Sequence, residues 1–242
     1  MTQIALAAAP PTLIKDEPDK CPFCHKAPHD FASKKESEDK KIVSKPSGLG
    51  NLSIPGTAPG KWGRARHHII PAIQCFAMVK RLARMAMSVG YDINAPRNGI
   101  GLPTIKNKYI CNGITDNFGN FPKEEKKQIA FKMMDESGKQ WHVGNHHYVM
   151  NKEETSPENM DDEGEIDHLP YDQEVIKKLI DELDQWDQTD LCQSEDDFSE
   201  EAKECMNKIS DDIREKLDNF QYGGSKPFYV SETARQWAQK KH

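Results

Sequence analysis

The chain has 242 residues, 36% hydrophobic and 30% charged, with a net charge of −6 and a mean hydropathy of −0.81. That length holds one large or two small domains with a buried core, and no run of 18 apolar residues marks a membrane-spanning helix. Six cysteines are too thinly spread for a disulfide scaffold, so a reducing compartment is expected.

The charge is unevenly placed. Residues 41–150 carry 16 basic and 6 acidic groups, whereas residues 151–242 carry 11 and 26. A net of +10 beside a net of −15 marks the middle as the part that attracts a polyanion, which the overall pI of 5.9 conceals.

Residues 1–20 read as a flexible lead-in, and the apolar stretch from Ile4 to Ala9 has no basic region before it, so no secretory signal is expected. Cys21-Pro22-Phe23-Cys24 is half of a zinc knuckle, with His25, His29, Cys75 and Cys111 as open choices for the other half, or else a reduced pair in a turn. A redox dithiol is disfavoured because no βαβ pattern surrounds it. Residues 33–60 have linker composition. The expected division is therefore a flexible segment 1–60 with a Cys-x-x-Cys turn, a core 61–151, and an acidic helical region 152–242.

Residues 62–70 read as a strand or extended loop carrying His67 and His68, flanked by Arg64 and Arg66, which suit either a phosphate or plain surface charge. Apolar spacing predicts a helix over 72–89, stopped by Gly90, with Lys80, Arg81 and Arg84 on its other faces. Residues 92–99 are turn-rich and lead to a short strand over 100–105. A helix over 122–134 carries Lys123, Lys126, Lys127 and Lys132. Residues 141–149 then read as entering a helix with His142 and His146 on one side. It is not a zinc-protease helix, since Val143 stands where the general-base glutamate belongs. Beyond an acidic bridge, amphipathic helices are expected over 171–186 and 198–220, with Trp237 packing back near the end.

Adjacent histidines on an extended segment point to opposite faces, so one can meet a metal while the other meets water or the loop behind. Histidines four apart on a helix share a face and grip one ion. Together the histidines have the make-up of a metal-dependent hydrolase site, with Asn98 at a turn where its side chain can bond the backbone beside them.

Three blocks carry a resemblance: Arg66-His67-His68-Ile69-Ile70-Pro71, Asn98-Gly99-Ile100-Gly101-Leu102-Pro103, and His142-x-Gly144-x-His146-x-Tyr148. In this order, over roughly residues 60–150, they resemble the AHH family of the HNH/endonuclease VII (His-Me finger) nuclease superfamily. The chain departs from the family in three ways: Arg66 stands at the namesake alanine, the stretch between the second and third blocks is long, and His147 adjoins His146.

The resemblance implies an α+β fold, with a ββα-metal core, added helices and the acidic helical C-terminal segment. It also implies metal-dependent hydrolysis of phosphodiester bonds in DNA, with RNA as the other candidate. His68 would be the general base, and His67, His142 and His146 would hold one divalent ion. Asn98 would orient the loop carrying His68, and Arg64, Arg66, Arg97 and Lys106 would meet the nucleic acid. Neutral imidazoles suit Zn2+ or Ni2+, while family members often use Mg2+.

Such domains are common as antibacterial toxins, which implies residence in the producer's cytoplasm, export by a specialised system such as type VI secretion, and action in the target cell's cytoplasm. A cognate immunity protein, a secretion component and no membrane partner follow. The competing reading is a non-catalytic module that binds nucleic acid or a partner, stabilised by structural zinc on Cys21 and Cys24. The acidic tail reads as a docking segment, a nucleic-acid mimic over the basic site, or a solvated helical appendage.

Overall fold

The computed structural model describes residues 17–24, 26, 46–50, 52, 62–71, 75–76, 80–104, 108–111, 114–117, 120–142, 171–187 and 195–242. The fold is mixed α+β. Strand β1 (Gly63–His68) pairs antiparallel with β2 (Gly99–Thr104), placing His68 opposite Gly99 and His67 opposite Ile100. A separate hairpin joins β3 (Lys108–Cys111) to β4 (Ile114–Asn117). The helices are α1 (Lys80–Ser88), α2 (Lys123–Ser137), α3 (Tyr171–Asp187), α4 (Glu195–Asp218) and α5 (Glu232–Lys241). None of the described helices is long and apolar enough to cross a membrane.

Helix periodicity accounts for what is buried. On α1, Leu82, Met85 and Ala86 turn inward. On α3 the inward residues are Val175, Ile176, Leu179 and Ile180, and on α4 they are Ala202, Met206, Ile209, Ile213 and Leu217. All of them join Ile69, Ile70, Ile100 and Leu102 of the hairpin region in one core, which also takes in Cys21 and Phe23. The three segments that composition separates thus share an interior, and α3 and α4 are part of it, not an appendage.

A second, smaller core lies between α2 and α5. Phe220 stacks on Trp237 with ring centres 4.5 Å apart, beside Phe131 and Met134. Helix α2 ends at Gly138, whose left-handed φ of 65° suits glycine and whose N–H returns to the Met134 carbonyl. A side chain there would also strike Gln221.

Arg81 departs from expectation. It is buried, and its Nε donates to the Pro22 carbonyl at 2.7 Å. Arg84 donates to the carbonyls of Glu17, Pro18 and Lys20. The expected flexible lead-in therefore ends docked on α1 from residue 17 onward, because two guanidinium groups supply donors for a turn rich in carbonyl oxygens.

Candidate functional site

On β1 the side chains alternate, so Arg64, Arg66 and His68 share one face and Ala65 and His67 the other. Arg64 and Arg66 are exposed, whereas both histidines are buried. The end of the strand is covered on both sides.

On one side, the His67 ring meets His142 edge-on, with centres 5.2 Å apart, and meets Tyr171 of α3 at 5.0 Å. His142 does not stand on a helix. Its N–H donates to the Pro103 carbonyl, and its own carbonyl accepts from the Thr104 hydroxyl, so residues at the end of β2 hold its backbone. The preceding residues are held from the C-terminal side. Gln140, buried, donates to the Ser225 hydroxyl and the Phe228 carbonyl and accepts from Val230 N–H, while the Ser231 hydroxyl donates to the Trp141 carbonyl.

Directly after the histidines, the backbone of Ile69 and Ile70 is held at every polar group. Ile69 N–H donates to the Asn98 carbonyl at 2.9 Å, and Ile70 N–H donates to Asn98 Oδ1 at 2.8 Å. Asn98 Nδ2 donates to the Ile70 carbonyl at 3.1 Å and to the Ile93 carbonyl at 2.9 Å. The fourth group, the Ile69 carbonyl, accepts from the Tyr171 hydroxyl at 2.7 Å. Asn98 Oδ1 also accepts from the Ser210 hydroxyl of α4 at 3.1 Å, so both donors and both lone pairs of this buried amide are used.

On the other side, His68 Nε2 donates to Asn94 Oδ1 at 3.1 Å. Asn94 is positioned by an Asx turn in which its N–H donates to Asp92 Oδ1. Burial pushes the His68 imidazole below its ordinary value, against the Asn94 bond and the nearby Asp92 charge, which favour the protonated form. His68 is therefore neutral at neutral pH, and with Nε2 donating, its lone pair sits on Nδ1.

The basic candidates have diverse surroundings. Arg66 Nε donates to the Gly50 carbonyl at 2.7 Å. Arg97 is occupied: Glu204 of α4 grips it bidentately at 2.7 and 2.8 Å, and Asp211 accepts from it at 2.6 and 2.9 Å. An acidic tail meeting a basic middle supplies the reason, since a forked guanidinium matches a carboxylate as well as a phosphate. Cys21 is buried and Cys24 partly so, and Cys75 lies in the same core with its thiol pushed up by burial. Lys106, His146, His147, His25 and His29 lie outside the described residues, as does the expected helix beyond His142.

Two imidazoles on one tetrahedral ion, each about 2.1 Å from it, have ring centres about 5 Å apart. The His67–His142 separation fits that pair, and it equally fits a ring–ring contact. Among the described residues no group of three or more histidine, cysteine or acidic side chains gathers as a metal site.

The structure thus brings His67, His142 and Asn98 around the end of β1 and sends His68 to the opposite face. Sequence reasoning missed Asn94, Tyr171 and Ser210. Asp92-x-Asn94 was a readable Asx-turn signal, but Tyr171 and Ser210 reach the site from more than 100 residues away and looked like ordinary helix positions. No family model, curated protein or solved structure matches the chain.

Proposed function

We propose that the chain is a metal-dependent endonuclease that hydrolyses phosphodiester bonds of DNA, built on the ββα-metal core of His-Me finger nucleases. The observation that carries this reading is the meeting of His67 and His142 at 5.2 Å across the end of an antiparallel hairpin whose backbone Asn98 clamps. Core packing alone does not call for two imidazoles there. Histidine is less often buried than the aliphatic residues that would fill the same space.

In this reading His67 and His142, with His146 from the stretch that follows, would hold one divalent ion. Such an ion supplies Lewis-acid stabilisation of the scissile phosphate and the leaving oxygen. His68, neutral at working pH, takes the proton from the attacking water, which its pKa suits. The two roles converge on one phosphate only at the tip of β1. His68 is the last residue of the strand, and there the chain leaves the pleat that separates the two faces. Arg64 and Arg66, in line with His68 along the strand, would hold the nucleic-acid backbone. An antibacterial toxin, exported by a specialised system and neutralised in its producer by an immunity protein, is the biological setting this reading proposes.

Burial favours a second reading. His67, His68 and His142 are 0%, 3% and 4% exposed, as befits a non-catalytic module whose histidines serve its interior. Plasmid cleavage by the purified chain, with EDTA or with Mg2+, Mn2+, Ni2+ or Zn2+, separates the two. Nicking that requires metal and is lost in a folded His68→Ala variant is the expected result. Absence of cleavage of plasmid and RNA with every metal would establish the binding module instead.

A further inference from the structure

We propose that Tyr171 is a positioning residue of the histidine site, its hydroxyl fixing the chain at Ile69 and its ring edge fixing the His67 imidazole. This inference rests on reading His67 as a metal ligand.

Tyr171 is fully buried at the first position of α3, where phenylalanine or leucine would serve packing equally well. A buried phenol needs a hydrogen-bond partner, and this one takes the carbonyl immediately after His68, at 2.7 Å. Asn98 holds the other three polar groups of Ile69 and Ile70, so Tyr171 completes the set. The same side chain lies against the His67 ring at 5.0 Å with planes 63° apart, opposing rotation of the imidazole. Tyr171 is itself confined by Phe228, at 6.2 Å. Its ionisation is pushed well above the ordinary tyrosine value by burial, then by Cys75, so the hydroxyl stays a donor. Groups that orient a metal-binding histidine in this way govern affinity for the ion without touching it.

The test uses the full-length chain, with Co2+ as the probe, because its visible absorption reports both affinity and ligand geometry. Tyr171→Phe keeps the ring and removes the bond to Ile69, and Phe228→Leu loosens the ring and keeps the bond. Ile176→Val, on the same helix and more than one turn beyond Tyr171, controls for loss of stability. Relative to wild type, Tyr171→Phe should weaken Co2+ binding roughly tenfold and shift the absorption band. It should lower kcat by a similar factor, with KM changed less than about twofold. Phe228→Leu should shift the band in the same direction by less, and carries the test if Tyr171→Phe does not fold. Ile176→Val should leave the band alone. A wild-type band that both Tyr171→Phe and Phe228→Leu reproduce at unchanged Co2+ affinity overturns the role of Tyr171 and leaves the metal site standing. A wild-type chain that shows no Co2+ band overturns the metal-ligand reading and this inference with it.

Discussion

His67 and His68 are joined by one peptide bond and live in different chemical worlds. The His67 side is aromatic and closed, with His142 and Tyr171 against the ring and Phe228 behind the tyrosine. The His68 side is a polar loop in which Asn94 accepts from the imidazole and Asp92 holds Asn94. Strand alternation alone separates the two faces, but their character comes from what each face meets: the C-terminal helices on one side and a local turn on the other. One histidine is therefore braced by long-range contacts and the other by residues within 26 positions of it. On the proposed reading, a ligand must be held rigidly, whereas a base must give and take a proton, and the two environments suit those different demands.

The contrast can be broken most completely by removing residues 153–242. Val175, Ile176, Leu179, Ile180, Met206, Ile209, Ile213 and Leu217 all leave the core. Each contributes about 1.5–3 kcal/mol by burial, which together matches or exceeds the roughly 5–15 kcal/mol that holds a typical domain folded. The truncated chain should show no cooperative thermal transition by circular dichroism, and a sharp transition near the wild-type temperature would contradict the shared core.

Asn98→Ala acts on both sides at once, leaving buried Ile70 N–H, Ile70 C=O and Ile93 C=O without their partner. With each such group costing about 1–3 kcal/mol and the costs not fully additive, a loss of about 3–4 kcal/mol is expected in urea unfolding. A loss under about 1 kcal/mol would mean that the clamp is slack.

Asn94→Ala sharpens the contrast by touching only the His68 side, at about 1 kcal/mol, the usual worth of a hydrogen bond. Its clearer signature is in pH. The folded His68 resists protonation, while in the unfolded chain it takes a proton near its ordinary value of about 6.5. The contribution of His68 is therefore at its fullest above that pH and declines as pH falls below it. Asn94→Ala removes a bond that favours the charged imidazole, so this decline should deepen, and His68→Gln should flatten it. The acid limb of kcat/KM should likewise lie below pH 6.5. A limb above that value would argue against His68 as the base.

The smallest effect belongs to Arg97, whose guanidinium and carboxylate partners are substantially exposed. Screening leaves such a network weak. Arg97→Gln should lower the melting temperature only slightly, and less still at molar salt. A large, salt-independent loss would show that the clamp holds α4 in place.

The parts of the fold legible in the sequence were those governed by local pattern. An extended segment, strand or loop, was legible over His67 and His68, and three-and-four spacing placed α3 and α4 to within a few residues of Tyr171–Asp187 and Glu195–Asp218. Asn98 was legible as a turn asparagine whose side chain could bond the backbone beside the histidines or serve the turn alone. The state of Arg81 was hidden, since its role depends on the Pro22 carbonyl 59 residues earlier. The occupation of Arg97 was hidden for the same reason, although one of the three readings of the acidic tail laid it over the basic site. His142 was misplaced on a helix because histidines four apart read the same whether or not the first one has its backbone claimed by Pro103. The bonds to Tyr171 and Ser210 leave no trace in any local window.

The reach of those last two bonds has a consequence for how the molecule is born. The Ile69 carbonyl waits 102 residues for the Tyr171 hydroxyl, and the Asn98 carboxamide waits 112 for Ser210. A growing polypeptide whose synthesis has passed α2 but not α3 has Asn94, Asn98 and Pro103 to hold the backbone and ring around its histidines, but neither Tyr171 nor Ser210 behind them. Contacts of such high sequence separation form late and slow the folding rate. The backing of the histidine strand is thus complete only once α3 and α4 have been made.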